Sequence, residues 1–375
     1  MGNTVEILVG ADVVPTANNK DLFASGNIEA VVCPLLSATL EKADFRVFNL
    51  ETPLVESFDP INKCGPHLDA PTACVNGIKK LNPDLLTLAN NHIMDHGCSG
   101  LETTEKSLLE KNIRYIGVGK KRNAVKDSYV FEKNGLKIAF YVCCEHEFSI
   151  AQKDYPGANP FDPFDSLDRI LELKKDNNYV VVLYHGGKEY YQYPSPNLQR
   201  CFRRMADKGA DVVIAQHTHC IGCRENYRDS IFVYGQGNFL FDDGDDVLGK
   251  NSLLLKLLVS PEKIDVCEIV IEKTKTGAKL ADESTSRKVL DDYMTRSLNV
   301  QNMDFVEKEY RRFAEESLGF YLRQMKGNPI WLKILAKIFG NRISTKFYNK
   351  KTLLDILNYV ECEAHRELLL KGLKG

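Results

Sequence analysis

Apolar runs recur along most of the chain at lengths that suit strands. They cover Val5 to Val9, Phe45 to Leu50, Leu85 to Ala89, Lys137 to Val142, Tyr179 to Tyr184, Val212 to Ala215, Ile231 to Tyr234, Ser252 to Val259 and Asp265 to Ile271. Short continuous runs of this kind read as buried strands. Between them lie segments with helical spacing: Cys74 to Leu81, Gly100 to Lys111, Phe164 to Asp176 and Asn197 to Lys208. In the last, Leu198, Cys201, Phe202, Met205 and Ala206 share one face, with polar residues opposite. Asn82-Pro83-Asp84 and Lys208-Gly209-Ala210-Asp211 each stop a helix just ahead of a buried strand. Alternation followed by a cluster of adjacent strands predicts a layered α/β domain whose second sheet is partly antiparallel. Beyond Thr274 the strand signals vanish, and Ser286 to Gly375 reads as helical throughout. The expected organisation is an α/β domain over residues 1–275 and a helical, basic extension over 276–375.

The tail sharpens that division. From Phe320 onward it carries eleven Lys or Arg against four Asp or Glu. Within it, Ile330 to Phe339 is a basic amphipathic segment. Two readings stand: peripheral contact with an anionic membrane surface or a partner, and packing on the domain with a solvated lysine face. Packing is the commoner fate of such helices.

The 375 residues are 43% hydrophobic, ample for a core, and the formal net charge is −2. Near-neutral charge without a basic patch around the motifs argues against a nucleic-acid partner. Met1-Gly2-Asn3-Thr4 runs directly into a strand-like segment, unlike a signal peptide, and no apolar stretch is long enough to span a bilayer. Eleven scattered cysteines read as free thiols in a reducing compartment. Cys220 and Cys223 lack the second pair a zinc ribbon needs, so they read as buried structural thiols. The expected location is the cytoplasm, with peripheral contact at the inner membrane face through Ile330 to Phe339.

The histidines carry the chemistry. Of eight, four fall in three short segments: Leu88-Ala89-Asn90-Asn91-His92, Leu183-Tyr184-His185-Gly186-Gly187 and Gln216-His217-Thr218-His219. Each segment follows a strand-like run, and polar side chains at the ends of buried strands are how α/β proteins build sites. Imidazole, carboxylate and amide oxygen together suit Zn, Mn, Fe or Ni. His217 and His219 are two apart, so on an extended segment both side chains point to one side.

Taken in order, the polar strand ends are Ala11-Asp12, Asn49-Leu50-Glu51-Thr52-Pro53, Asn90-Asn91-His92-Ile93-Met94-Asp95-His96-Gly97, His185-Gly186-Gly187-Lys188-Glu189-Tyr190, Gln216-His217-Thr218-His219 and Tyr234-Gly235-Gln236-Gly237-Asn238-Phe239. With these elements the chain, from about residue 5 to 260, resembles the CapA proteins. That family is associated with capsule and poly-γ-glutamate synthesis and is distantly related to the calcineurin-like metallophosphatases. The resemblance implies a layered α-β-β-α sandwich of metallo-dependent phosphatase type and a centre for one or two divalent metal ions, Mn, Zn or Fe. Carried over, Asp12 holds the first metal and Glu51 stands where the superfamily has a bridging aspartate. Asn91, His185 and His217 hold the second metal, His219 reaches the first, and His92 is the acid that protonates a leaving group. Glu189 is a ligand or a base on the substrate side, and Asp95 and His96 orient ligands. Metallophosphatases usually carry a histidine two residues after the first aspartate, where this chain has Val14. The first site thus lacks a nitrogen ligand, to be weak, empty, or completed by water or another carboxylate.

Asn238 reads as a turn residue, Lys188 as a solvated charge near an arriving acidic substrate, and His67, His146 and His365 as ordinary surface or core residues. The function implied is a metal-dependent hydrolase of surface-polymer synthesis, acting on an anionic small molecule or polymer at a phosphoester or a γ-glutamyl amide. The alternative is a non-catalytic accessory subunit of a membrane-bound polymer synthase.

Overall fold

The structure is a computed structural model that describes residues 4–242 and 247–374. The chain divides into two compact units, one running through Val306 and one beginning at Glu307.

Two sheets dominate the first unit. One has the order Ala278–Leu280, Ile264–Lys273, Asn251–Val259, Val5–Val14, Phe45–Leu50, Leu85–Thr87, Tyr115–Ile116, with Leu240–Phe241 paired to the end of Val5–Val14. The other has the order Arg224–Tyr227, Ser230–Val233, Val212–Gln216, Tyr179–His185, Leu136–Cys144, Ser128–Lys133. Each is parallel at the site-bearing strands and antiparallel towards an edge. The second sheet is partly antiparallel, as expected, at Arg224–Tyr227 with Ser230–Val233 and at Ser128–Lys133 with Leu136–Cys144. The late strands Asn251–Val259 and Ile264–Lys273 extend the first sheet, because Asn251–Val259 pairs antiparallel with Val5–Val14.

Strand periodicity sorts the core into layers. Ile7, Val9, Val47, Phe140, Val142, Val181, Leu183, Val212 and Ile214 point between the sheets and form one apolar cluster. Their alternates on the first sheet, Leu8, Phe48, Leu50 and Leu86, pack with Phe23, Leu36, Ile78, Leu101 and Leu108, from the helices Lys20–Ser25, Pro34–Glu41, Val75–Lys80 and Gly97–Glu110. Alternates on the second sheet, Ala139, Tyr141, Val180, Val182, Tyr184 and Val213, pack with Ile170, Leu173, Phe202 and Met205, from Asp165–Asp176 and Pro196–Asp207. The result is the expected α-β-β-α order. Pro196–Asp207 starts where it does because Pro196 opens it and Ser195 Oγ accepts the Leu198 amide at 3.1 Å. The helix Glu283–Asn299 closes this unit, burying Tyr293 in the inter-sheet core.

The second unit is helical, as the sequence predicts, with Ile330–Phe339, Lys350–Glu361 and Glu363–Lys374 following the long helix Met303–Met325. Arg323 donates to Asn328 Oδ1 at 3.1 Å and Asn341 Oδ1 at 2.6 Å, and the Tyr348 hydroxyl donates to the Leu322 carbonyl at 2.6 Å. Among the described residues no helix is long and apolar enough to cross a membrane.

Candidate metal centre

The site forms where strand ends of the two sheets meet. Val5–Val14 does not stop before Asp12, as a turn aspartate would require; the strand continues through it. Its parallel register with Phe45–Leu50 slips between Val9 and Asp12, and such a bulge re-aims the side chain that follows. Gly10 sits at the slip because a Cβ there would lie 2.4 Å from Phe48 Cδ1. Asp12 thus faces Asn49, whose amide donates to Asp12 Oδ1 at 2.7 Å. The Glu51 amide donates to the Val13 carbonyl at 3.2 Å, which brings Glu51 alongside.

Asn90, fully buried, shapes the third strand end. Its Oδ1 accepts the His92 and Ile93 amides at 3.1 and 2.9 Å, and its amide donates to Asn49 Oδ1 at 3.1 Å and the Leu50 carbonyl at 2.8 Å. Asn91 Oδ1 then lies 2.9 Å from His185 Nε2. His185 is the last residue of its own strand, with Nδ1 3.3 Å from Asn49 Nδ2.

The His217–His219 segment corrects the expectation of an extended stretch. The strand ends at Gln216, and His217 and His219 have φ of +84° and +53°. Non-glycine residues in this region store strain and cluster at functional sites. Both imidazoles reach the site through a turn, not through period-two alternation. Gly235 lies against that turn: a Cβ on it would meet Thr218 Oγ1 at 2.5 Å. His219 Nδ1 is 2.8 Å from Asn238 Oδ1, so Asn238, expected as a turn residue, orients a site imidazole.

These elements bring the sequence-selected donors together. Three overlapping groups each have one donor atom per residue within 4.8 Å of the others: Asp12, Glu51 and His219; Glu51, His185 and His217; Glu189, His217 and His219. Asn91 joins through His185. Glu51, His217 and His219 each belong to two of the groups. Glu189 is half-exposed at the rim, with Oε1 3.9 Å from His217 Nε2 and Oε2 3.8 Å from Lys188 Nζ. Val14 is buried and apolar, in register with Phe241, and offers no donor.

Whether these residues suit a cation is decided by what is unsatisfied among them. Glu51 is fully buried, yet neither carboxylate oxygen has a hydrogen-bond partner. His185 Nε2 approaches Oε1 to 3.1 Å without hydrogen-bond alignment. His217 Nδ1 is likewise buried and unpartnered, 3.9 Å from the same oxygen. Buried polar atoms are almost always paired, so two carboxylate oxygens and an imidazole nitrogen left unpaired side by side suit a cation as their partner. Oxygen and imidazole donors without thiolate suit Mn, Zn or Fe.

Charges follow the same geometry. Burial, reinforced by the charge on Glu51, raises Asp12 to about 7. Burial also works to raise Glu51, but the imidazoles of His185, His217 and His219 hold it well below the ordinary carboxylate range. Burial lowers His185 to about 4. It works to lower His217 too, but the Glu51 carboxylate overrides it and lifts the imidazole to about 9.

His92 stands beside the donors. Its Nδ1 is 2.6 Å from Asp95 Oδ2, which also accepts the Leu68 amide at 2.7 Å. Lys63, which sequence reasoning missed, pairs with Asp95 Oδ1 and lies 3.3 Å from His92 Nδ1, with its side chain only 3% exposed. The closer carboxylate contact marks Nδ1 as the protonated nitrogen, and Lys63 neutralises the carboxylate. A lone lysine in a polar loop carries no sequence signal for this. Ser149 is another missed support: its hydroxyl donates to the Asn91 carbonyl at 2.6 Å and accepts the Met94 amide at 3.1 Å. His96 accepts the Asp59 amide at 3.0 Å, with its ring edge-on to Phe58. His67 Nε2 is 2.6 Å from the Ile61 carbonyl, and Cys220 and Cys223 are buried and in no disulfide.

Comparison with known proteins places the chain in a family. A family model described as bacterial capsule synthesis protein PGA_cap matches residues 7–243, more than half of the chain. The capsule biosynthesis protein CapA of Bacillus anthracis is 32% identical over 258 residues, 65% of this chain and 58% of that protein. The PGA biosynthesis protein CapA of Bacillus subtilis (strain 168) is 30% identical over 244 residues, 64% of this chain and 62% of that protein. The matches thus span about three-fifths of those relatives' length. Among solved structures, a novel phosphatase from Mycoplasma pneumoniae is 15% identical with a TM-score of 0.44, covering 73% of this chain and 96% of that one.

Proposed function

The chain belongs to the bacterial capsule synthesis protein PGA_cap family, and from that membership we propose that it is a metal-dependent hydrolase of capsule, poly-γ-glutamate or related surface-polymer synthesis. The observation that carries this reading is Glu51, a buried carboxylate with both oxygens unpartnered, facing His185 and His217. Asp12, Glu51 and His219 would hold one divalent ion, Mn, Zn or Fe. Glu51, His185, His217 and Asn91 would hold another. When bound, such an ion supplies Lewis acidity and brings the ionisation of water near neutral pH.

The rest of the work falls to side chains. Asn49 and Asn90 fix Asp12 and the Asn91-His92 turn through buried hydrogen bonds. Asp95 engages His92 Nδ1–H, which leaves Nε2 as the nitrogen that exchanges a proton with a leaving group. Lys188 and Glu189 are half-exposed at the rim. There Lys188 meets an anionic small molecule or polymer, and Glu189 serves as rim ligand or base. The bond cut is a phosphoester or a γ-glutamyl amide. On this reading the chain works in the cytoplasm.

Val14 favours a second reading. A buried valine stands where the superfamily supplies a nitrogen ligand, so the Asp12 side of the centre has few donors. A subunit of this kind would keep one ion for structure and support a membrane-bound polymer synthase without turnover. Hydrolysis of phosphodiesters and γ-glutamyl oligomers with added Mn or Zn separates the two. The enzyme reading expects turnover that His92→Gln abolishes while fold and metal content persist. Metal-loaded protein without turnover on either class favours the accessory role.

A further inference from the structure

The helix Ile330–Phe339 turns Leu332 inward to full burial. Its outward side carries more than the solvated lysine face that packing predicts. Ile330, Ile334 and Ile338, one turn apart on a single line, are 76%, 55% and 65% exposed, and neighbouring Trp331 is 44% exposed. Lys333 and Lys337 run along the next line of the same helix, both exposed. Contiguous exposed apolar surface of this kind marks an interaction site.

Charge identifies the occupant. Between Glu316 and Asp355 the chain has eight Lys or Arg and no Asp or Glu. An apolar line set among cations alone complements anionic lipid headgroups, whereas a protein groove is ordinarily met with both signs. Ten residues make a helix of about 15 Å, half of the roughly 30 Å hydrocarbon core, so it lies in the plane of a membrane and does not cross it.

We propose that Ile330–Phe339 is an interfacial helix that docks this chain on an anionic bilayer. Ile330, Trp331, Ile334 and Ile338 enter the headgroup–acyl boundary, and Lys333 and Lys337 lie against lipid phosphates. This stands apart from the metal centre and does not depend on it.

The chain supplies its own reporter, because Trp331 is its single tryptophan. The 375-residue chain is titrated with vesicles of mixed phosphatidylglycerol and phosphatidylcholine at low salt, and tryptophan emission is read. The expected result is a saturable blue shift, reversed by high salt and absent with phosphatidylcholine alone. Replacing Lys333 and Lys337 together by Gln weakens binding about twenty-five-fold, roughly fivefold for each cation. Ile334→Glu, at an exposed position, abolishes the shift with an unchanged circular dichroism spectrum. No shift with anionic vesicles overturns the proposal. So does emission already blue without lipid, with light scattering then telling whether a second copy covers the face. Equal binding to phosphatidylcholine alone overturns the assignment of an anionic surface.

Discussion

His92 Nδ1 and Asp95 Oδ2 lie 2.6 Å apart, and both side chains are buried beside Asn91. On the enzyme reading, the pair leaves Nε2 as the nitrogen that exchanges a proton with a substrate. General acid catalysis by a positioned histidine contributes on the order of 10²- to 10⁴-fold. Asp95→Asn, which keeps shape but loses the charge that orients the ring, should lower kcat about a hundredfold or more. KM and bound metal should change little. Steady-state kinetics with parallel elemental analysis check this, and loss of metal in step with activity would assign Asp95 a purely structural part.

Metal uptake should release protons. Metal ligands must be deprotonated, yet Asp12 is raised to about 7 and His217 to about 9, while His185, lowered to about 4, is already neutral. Both raised groups hold protons below those values, so affinity strengthens as pH climbs through 7 and then 9. Calorimetric Mn titrations in buffers of different ionisation enthalpy should show release of about two protons near pH 6 and about one near pH 8. Buffer-independent heats at both pH values would contradict this.

Gly10→Ala should destabilise the first unit and loosen the site together. The new methyl would meet Phe48, which stacks on Phe239 at a centroid distance of 5.0 Å, and the Phe239 amide donates to the Asp12 carbonyl at 3.1 Å. Overpacking of this kind costs about 1–3 kcal/mol. Urea unfolding measures the loss, and metal affinity should fall with it.

Asn90→Ala removes four buried hydrogen bonds at once, leaving the His92 and Ile93 amides without their acceptor. The expected cost is about 2–4 kcal/mol. Denaturation of the variant gives the number directly, and a change under half a kcal/mol would mean that other groups shape this turn.

The layered fold was legible because its strands are buried on both faces. Tyr179–His185 and Val212–Gln216 stand out as unbroken apolar runs whose polar ends mark the site. Edge strands such as Ser128–Lys133, half-exposed and mixed in character, give no such signal. Short helices such as Lys20–Ser25 hold together through Phe23 and the core, not through their own periodicity. At the site, residue identity was legible and backbone path was not. His217 and His219 converge through positive φ, and Asp12 is aimed by a register slip, both set by tertiary packing. Lys63 was invisible because only folding brings its loop to Asp95.

Glu51 is where the account is most exposed. The protein is stripped with chelator, dialysed against Mn or Zn and assayed for bound metal by elemental analysis, beside Glu51→Ala. One or two equivalents should stay with the native chain and essentially none with the variant, both remaining folded by circular dichroism. A folded native chain that retains no metal, or a variant that retains as much, would contradict a cation held at Glu51.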